Sequence, residues 1–168
     1  MKDLSSEILP QLQAHQINGI HPGTGNMLPH YDGFSLANIP SSLCQMFGID
    51  PFGIPSLSPA ILGQLASHYD NIIFMLMDGV RYQFLISHLD APHWQPYLQD
   101  ALFSPLTSIT PSTTSAALTS LWTGRTPAEH GILGYEVWLK EYGMIANMIL
   151  HSAFTFQGDV GGLQKAGF

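Results

Sequence analysis

Six apolar residues run without a break from Ile72 to Met77, between Asn71 and Asp78. A run that short and that uniformly apolar suits a strand buried on both faces of a parallel sheet. Such a strand hands its last residue to the carboxyl edge of the sheet, where α/β proteins gather their ligand sites. That residue is Asp78, and Gly79 lets the backbone turn sharply after it. Taken alone, Asp78 serves as well as the N-cap of a following helix over 80–89.

A second short strand is predicted over Leu106–Ile109, ending at Thr110-Pro111. Four hydroxyl residues follow it: Ser112, Thr113, Thr114 and Ser115. Ala116, Ala117, Leu118, Leu121 and Trp122 then fall on one helical face, and Gly124 closes the helix. The hydroxyls therefore crowd a strand-to-helix turn at the same sheet edge as Asp78.

That placement carries chemistry. A helix N-terminus presents unpaired N–H groups and partial positive charge, which attract phosphate-like anions. A hydroxyl there attacks such an anion only once its proton is removed. Coordination to a divalent cation achieves this near neutral pH, by the logic that lowers the pKa of bound water. Asp78 is available to hold the cation. From spacing alone the four hydroxyls are equivalent, and an N-cap with spare hydroxyls explains them too.

The rest of the chain reads as support. Leu4, Ile8 and Leu12 allow one short amphipathic helix, which Pro10 keeps from being long. Residues 21–32 are turn chemistry, and the GTG within them lacks the strand and the Lys-Ser/Thr pair of a phosphate loop. His21, His30 and Asp32 are polar loop residues there rather than metal ligands. Ser35 is a candidate N-cap for a helix reaching Phe47, stopped by Gly48. A Pro/Gly loop over 49–58 precedes a helix over 59–68. Residues 91–103 form an irregular crossover that can finish in a short helix. Residues 125–134 read as loop, and 135–149 as a β-hairpin turning at Lys140–Gly143. Residues 150–168 show glycines and no terminating element. The domain reading is an N-terminal extension over 1–34 and an α/β unit over 35–168, with a mostly parallel sheet flanked by helices.

Composition narrows the partners. The chain has 168 residues, a formal charge of −7 and only five Lys and Arg residues, which argues against a basic face for nucleic-acid backbone. One cysteine, Cys44, excludes an internal disulfide and a Cys-rich zinc site, and packing is its simplest role. No window is long and apolar enough for a membrane span, and the N-terminus lacks a signal-peptide core. A reducing cytoplasm fits these features. Charged residues are 10% of the chain, few for a free-standing domain, which suggests that part of its surface is normally covered by more protein.

Two motifs in combination resemble the alkaline phosphatase superfamily, and within it the nucleotide pyrophosphatase/phosphodiesterase branch. One is the strand ending IIFMLMDGV. The other is LTSITPSTTSAALTSLWTGRTPAEHGILGY, specific in its proline, paired threonines, TG segment and P-x-E-H-G-I loop. YDGFSLANIPSSL, upstream, is similar to starts found in bacterial members. The resemblance covers roughly residues 31–150 and implies a partial alkaline phosphatase-like core. It implies two divalent metals, usually zinc, flanking a phosphate. Carried over by position, Asp78 is a ligand of one metal. Thr114 is the nucleophile and a ligand of the same metal, forming a phospho-threonine that water activated by the other metal hydrolyses. The substrate implied is a small phosphoester or nucleotide.

The sequence departs from that pattern in places. Animal-type diesterases put an Asn after the HGI loop to bind a phosphate oxygen, and Tyr135 stands there, able to donate one hydrogen bond. His130 belongs to the motif and is assigned to ordering the loop rather than to a metal. The family's remaining ligands, an Asp-x-x-x-His, an Asp-His pair and a further His, have no counterpart after residue 150, where His151 and Asp159 are isolated. The chain is therefore expected to be the N-terminal part of an enzyme about twice as long, inactive alone and missing the other half of its domain. The competing readings are a non-catalytic fragment or pseudoenzyme, or a sulfatase or phosphomutase of the same superfamily. The sulfatase C/S-x-P-x-R signature is absent, and no G-x-S-x-G supports an α/β-hydrolase.

Overall fold

The computed structural model describes residues 1–155, 160–165 and 167. Asp159 lies outside the described residues. The chain opens with a two-residue strand, β1 (Lys2–Asp3), and helix α1 (Ser5–Ala14). Leu4, Ile8 and Leu12 recur every four residues and so share one face. All three are buried, against Phe34 and Ile61. Burying side chains of this size contributes roughly 1.5–3 kcal/mol each, which outweighs the helix bond lost at Pro10. The first fourteen residues are thus built into the same core as Phe34 and Ile61.

The next element is a single 3-10 turn, Leu36–Asn38, running straight into α2 (Ile39–Met46). Ser35 caps it as anticipated, in a reciprocal arrangement with Asn38. The Asn38 side chain accepts from the Ser35 N–H at 2.8 Å and donates to the carbonyls of Tyr31 at 2.6 Å and Pro55 at 2.7 Å. Fully buried, it closes the YDGFSLAN turn onto the loop over 49–58. That loop also meets the C-terminal end of a later helix, where the Ile54 N–H donates to Gly124 O at 2.8 Å. Gly53 and Gly124 both have positive φ and their backbones approach so closely that a Cβ on Gly53 would overlap the Gly124 carbonyl.

Three predicted elements shrink. The helix over 59–68 is only α3 (Pro59–Leu62), capped by Ser58. The helix over 80–89 is α4 (Tyr82–Ile86). The crossover holds α5 (Gln95–Leu98) and then β2 (Leu102–Phe103), which pairs in parallel with β1. The strand expected over Leu106–Ile109 reduces to one parallel bridge between Thr107 and Ser35.

The larger correction concerns residues 71–79. They form no strand and make no backbone–backbone hydrogen bond. Their apolar side chains lie open, with Ile73 92% and Met75 76% exposed. A parallel strand needs neighbours on its edges and cover on both faces. Among the described residues no element supplies either, so a sequence suited to burial stays unburied.

After the helix α6 (Thr114–Thr123) and the short α7 (Pro127–His130), the chain ends in a second sheet. The predicted hairpin is present as β3 (Glu136–Leu139) and β4 (Met144–Asn147), joined antiparallel. β5 (Ser152–Ala153) adds to β4, and α8 (Gly162–Lys165) follows, so the tail read as featureless contains elements. Leu139, Ala146, Met148 and Leu163 form its small core. The architecture is mixed α and β. The described strands make one two-stranded parallel sheet and one three-stranded antiparallel sheet, not a mostly parallel one.

Candidate active site

Helix α6 organises the site. Its N-cap is Thr113, whose hydroxyl accepts from the Ala116 N–H at 3.4 Å. Capping uses that hydroxyl and satisfies one of the free N–H groups of the first turn. The same side chain donates to Leu133 O at 3.5 Å, tying the helix start to the loop after α7. Ser115 turns the other way and is buried, while Ser112 is exposed. Thr114 is the first helical residue, and it is exposed. The four hydroxyls equivalent in sequence thus occupy four different environments.

Ala116 and Ile109 pack on Ala37 beneath this turn. The Thr110 N–H donates to the Tyr31 hydroxyl at 3.1 Å, and the Thr110-Pro111 peptide bond is cis. Burial, opposed by that hydrogen bond, raises the Tyr31 pKa, so the phenol stays protonated. Tyr31 is a positioning residue that periodicity did not find. The signal available for it was the YDGFSLAN stretch to which it belongs.

The structure brings together the two residues singled out for chemistry. Thr114 Oγ1 donates to Asp78 Oδ2 at 3.4 Å. This is long for a hydroxyl–carboxylate hydrogen bond and correspondingly weak. Asp78 and Gly79 form a turn after the apolar run, with Gly79 at φ 71° as the sharp reversal required. So the aspartate arrives at the helix start although the strand meant to deliver it is not formed.

Tyr135 is elsewhere. It lines a cavity of about 350 Å³ with Asn147, Leu150 and Phe154, and neither Thr114 nor Asp78 borders that cavity. His130 has both ring nitrogens engaged. The Ile132 N–H donates to Nδ1 at 3.1 Å, so the neutral ring carries its proton on Nε2, which faces Ser120 Oγ at 3.0 Å. Burial lowers its pKa, opposed by the Ala116 backbone and the charge of Glu129. The histidine orders the loop against α6, the role assigned to it. Glu129 in turn accepts from the Thr126 N–H and hydroxyl, both at 2.8 Å, and those bonds hold its pKa below the usual carboxylate value.

A carboxylate and a hydroxyl are two oxygen donors, and a catalytic zinc takes three or more protein ligands. Among the described residues no group of three or more His, Cys, Asp and Glu could hold a metal ion. The donors present therefore do not by themselves fit the pair of metals that the resemblance implies. His21 and His30 do not join them: His30 stacks on His15 at 4.0 Å and lies against Phe34 in the N-terminal half.

A hydroxyl at a helix start, facing a carboxylate from a neighbouring turn, marks a hydrolase-type site in a mixed α/β chain. The family follows from comparison. Residues 72–152 match the model of the family described as type I phosphodiesterase / nucleotide pyrophosphatase, a stretch that contains Asp78, Thr114, His130 and Tyr135. Phosphodiesterase or pyrophosphatase-type hydrolysis is the general chemistry of that family. No curated protein and no solved structure matches the chain. No helix among the described residues is long and apolar enough to cross a membrane.

Proposed function

We propose that Thr114 is the nucleophile of a hydrolase acting on phosphodiester or pyrophosphate bonds, and that Asp78 receives its proton. The observation that carries this is the 3.4 Å contact between Thr114 Oγ1 and Asp78 Oδ2 at the start of α6. An anionic phosphoryl group is favoured there by the N–H groups and dipole of the helix. The threonine oxygen forms a bond to phosphorus and the ester P–O bond breaks. The hydroxyl proton leaves toward Asp78 and ends on the departing alcohol. Water then cleaves the phospho-threonine, returning the hydroxyl.

Two divalent cations, zinc by resemblance, belong to this reading only with ligands completed from outside the described residues. Residues 35–168 would then be the N-terminal part of an alkaline phosphatase-like domain, its parallel sheet extended through 71–79 by further strands. Tyr135 is retained as a substrate contact, brought nearer when that domain is complete.

The test uses the full protein with a chromogenic phosphodiester such as bis(p-nitrophenyl) phosphate. Thr114→Ala abolishes turnover and Ser112→Ala retains it. Turnover that survives Thr114→Ala ends the proposal.

A second reading, that this chain binds no metal and does not hydrolyse by itself, is supported by the two-donor site and the uncovered apolar run. Equilibrium dialysis of the chain against zinc separates the two. Tight stoichiometric binding contradicts the second reading.

A further inference from the structure

The back of helix α6 borders a cavity of about 380 Å³ that the hydrolase reading does not use. It lies between α6 and the segment after β4. Leu118, Trp122, Ile132 and Met148 form its apolar wall. The volume falls in the range that encloses a small organic ligand. Trp122 is 71% exposed although it sits on a helix, so its indole is uncovered at the cavity rather than packed.

One polar atom in this cavity lacks a partner. Ser115 is 2% exposed, lines the cavity, and its Oγ makes no hydrogen bond. A buried hydroxyl without a partner costs about 1–3 kcal/mol, so the position favours a ligand that satisfies it. The two other hydroxyls lining the cavity from α6 are already used: Thr119 donates to Ser115 O at 2.8 Å and Thr123 to Thr119 O at 2.7 Å. No Asp, Glu, Lys or Arg is among the described residues lining it.

We propose that this cavity binds an uncharged aromatic molecule carrying one hydrogen-bond acceptor. The ring lies against the Trp122 indole and the Met148 thioether, both favourable aromatic neighbours. The acceptor takes the Ser115 O–H. A charged ligand is disfavoured because its desolvation finds no counter-charge. The inference is independent of the proposed hydrolysis, since neither Thr114 nor Asp78 lines the cavity.

The experiment is a titration of the intact chain with benzamide, and in parallel with toluene, followed by side-chain NMR of Ile132 and Met148. Benzamide shifts both signals saturably and binds about fivefold tighter than toluene, the increment of one hydrogen bond. Ser115→Ala removes that preference while both ligands still bind. Trp122→Leu, at a surface-exposed position that folding does not depend on, weakens both ligands together. Absence of saturable shifts with benzamide overturns the proposal, as does an undiminished preference for benzamide in Ser115→Ala.

Discussion

The Thr114 hydroxyl and the Asp78 carboxylate meet at 3.4 Å across 36 residues of sequence, and both are exposed. Exposure means that neither supports the core, so each can be changed without unfolding the chain. In the full protein, Asp78→Asn keeps the shape but removes the charge that accepts the hydroxyl proton. Turnover should fall by roughly a hundredfold or more, the usual contribution of a positioned proton acceptor. The thermal midpoint should move little. Steady-state kinetics and a melt on the same sample check both statements, and a large loss of stability would show that the pair is structural.

Asn38 presents the opposite case. It is fully buried and its side chain makes three hydrogen bonds, to Ser35 N, Tyr31 O and Pro55 O. Asn38→Ala leaves buried backbone groups unpaired on two segments at once. A loss of about 3 kcal/mol is expected, at the upper end for groups stranded without partners. Urea unfolding followed by circular dichroism measures it. Asn38→Asp keeps the acceptor for Ser35 but loses both donated bonds, so it should be nearly as damaging.

These two examples show why parts of the chain were legible and others were not. Helix α6 and the β3–β4 hairpin depend on local signals, a cap, a C-terminal glycine and a turn, so sequence located both. The juxtaposition of Asp78 with Thr114 followed from placing each at the end of its apolar run. The state of residues 71–79 could not be read locally, because their composition records what a buried strand needs and not whether neighbours are present to bury it. Tyr31, Asn38 and the Ser120–His130 bond depend on contacts between segments distant in sequence or in different elements, which no period of 2 or 3.6 reports. Ser115 looked equivalent to its neighbours until the helix assigned it to the buried side.

Two histidines make stability depend on pH. Burial, together with the charge of His15, lowers the His30 pKa against the opposing effects of Asp32 and its backbone. Burial lowers that of His130. Protonating His130 would also place an N–H on Nδ1, facing the Ile132 N–H. The unfolded chain, titrating near 6.5, thus binds these protons more readily than the folded one. Stability is complete above pH 6.5 and declines as pH falls through the lowered folded values. Thermal melts between pH 7.5 and 5 should show a falling midpoint, in steps that His130→Gln and His30→Gln each reduce. A midpoint that rises on acidification would reverse the sign of the argument.

The open run from Ile72 to Met77 leads to the last prediction. It is six residues long, uncharged, free of Pro and Gly, and its backbone groups pair with nothing in the chain. Segments of this kind are templates for edge-to-edge association. Ile73 is 92% exposed, so Ile73→Asp removes no packing and should change stability by less than about 0.5 kcal/mol. It places a charge in the middle of the run and should shift the chain from aggregates toward monomer, by the mechanism of gatekeeper charges. In the full protein the same substitution distinguishes two environments. If further strands cover residues 72–77 there, a buried unpaired charge costs several kcal/mol and the protein unfolds or loses activity. Sedimentation velocity on the chain and a melt on the full protein give the comparison. Equal and negligible effects in both would mean that the run is exposed in each, contrary to the extended sheet proposed for the complete domain.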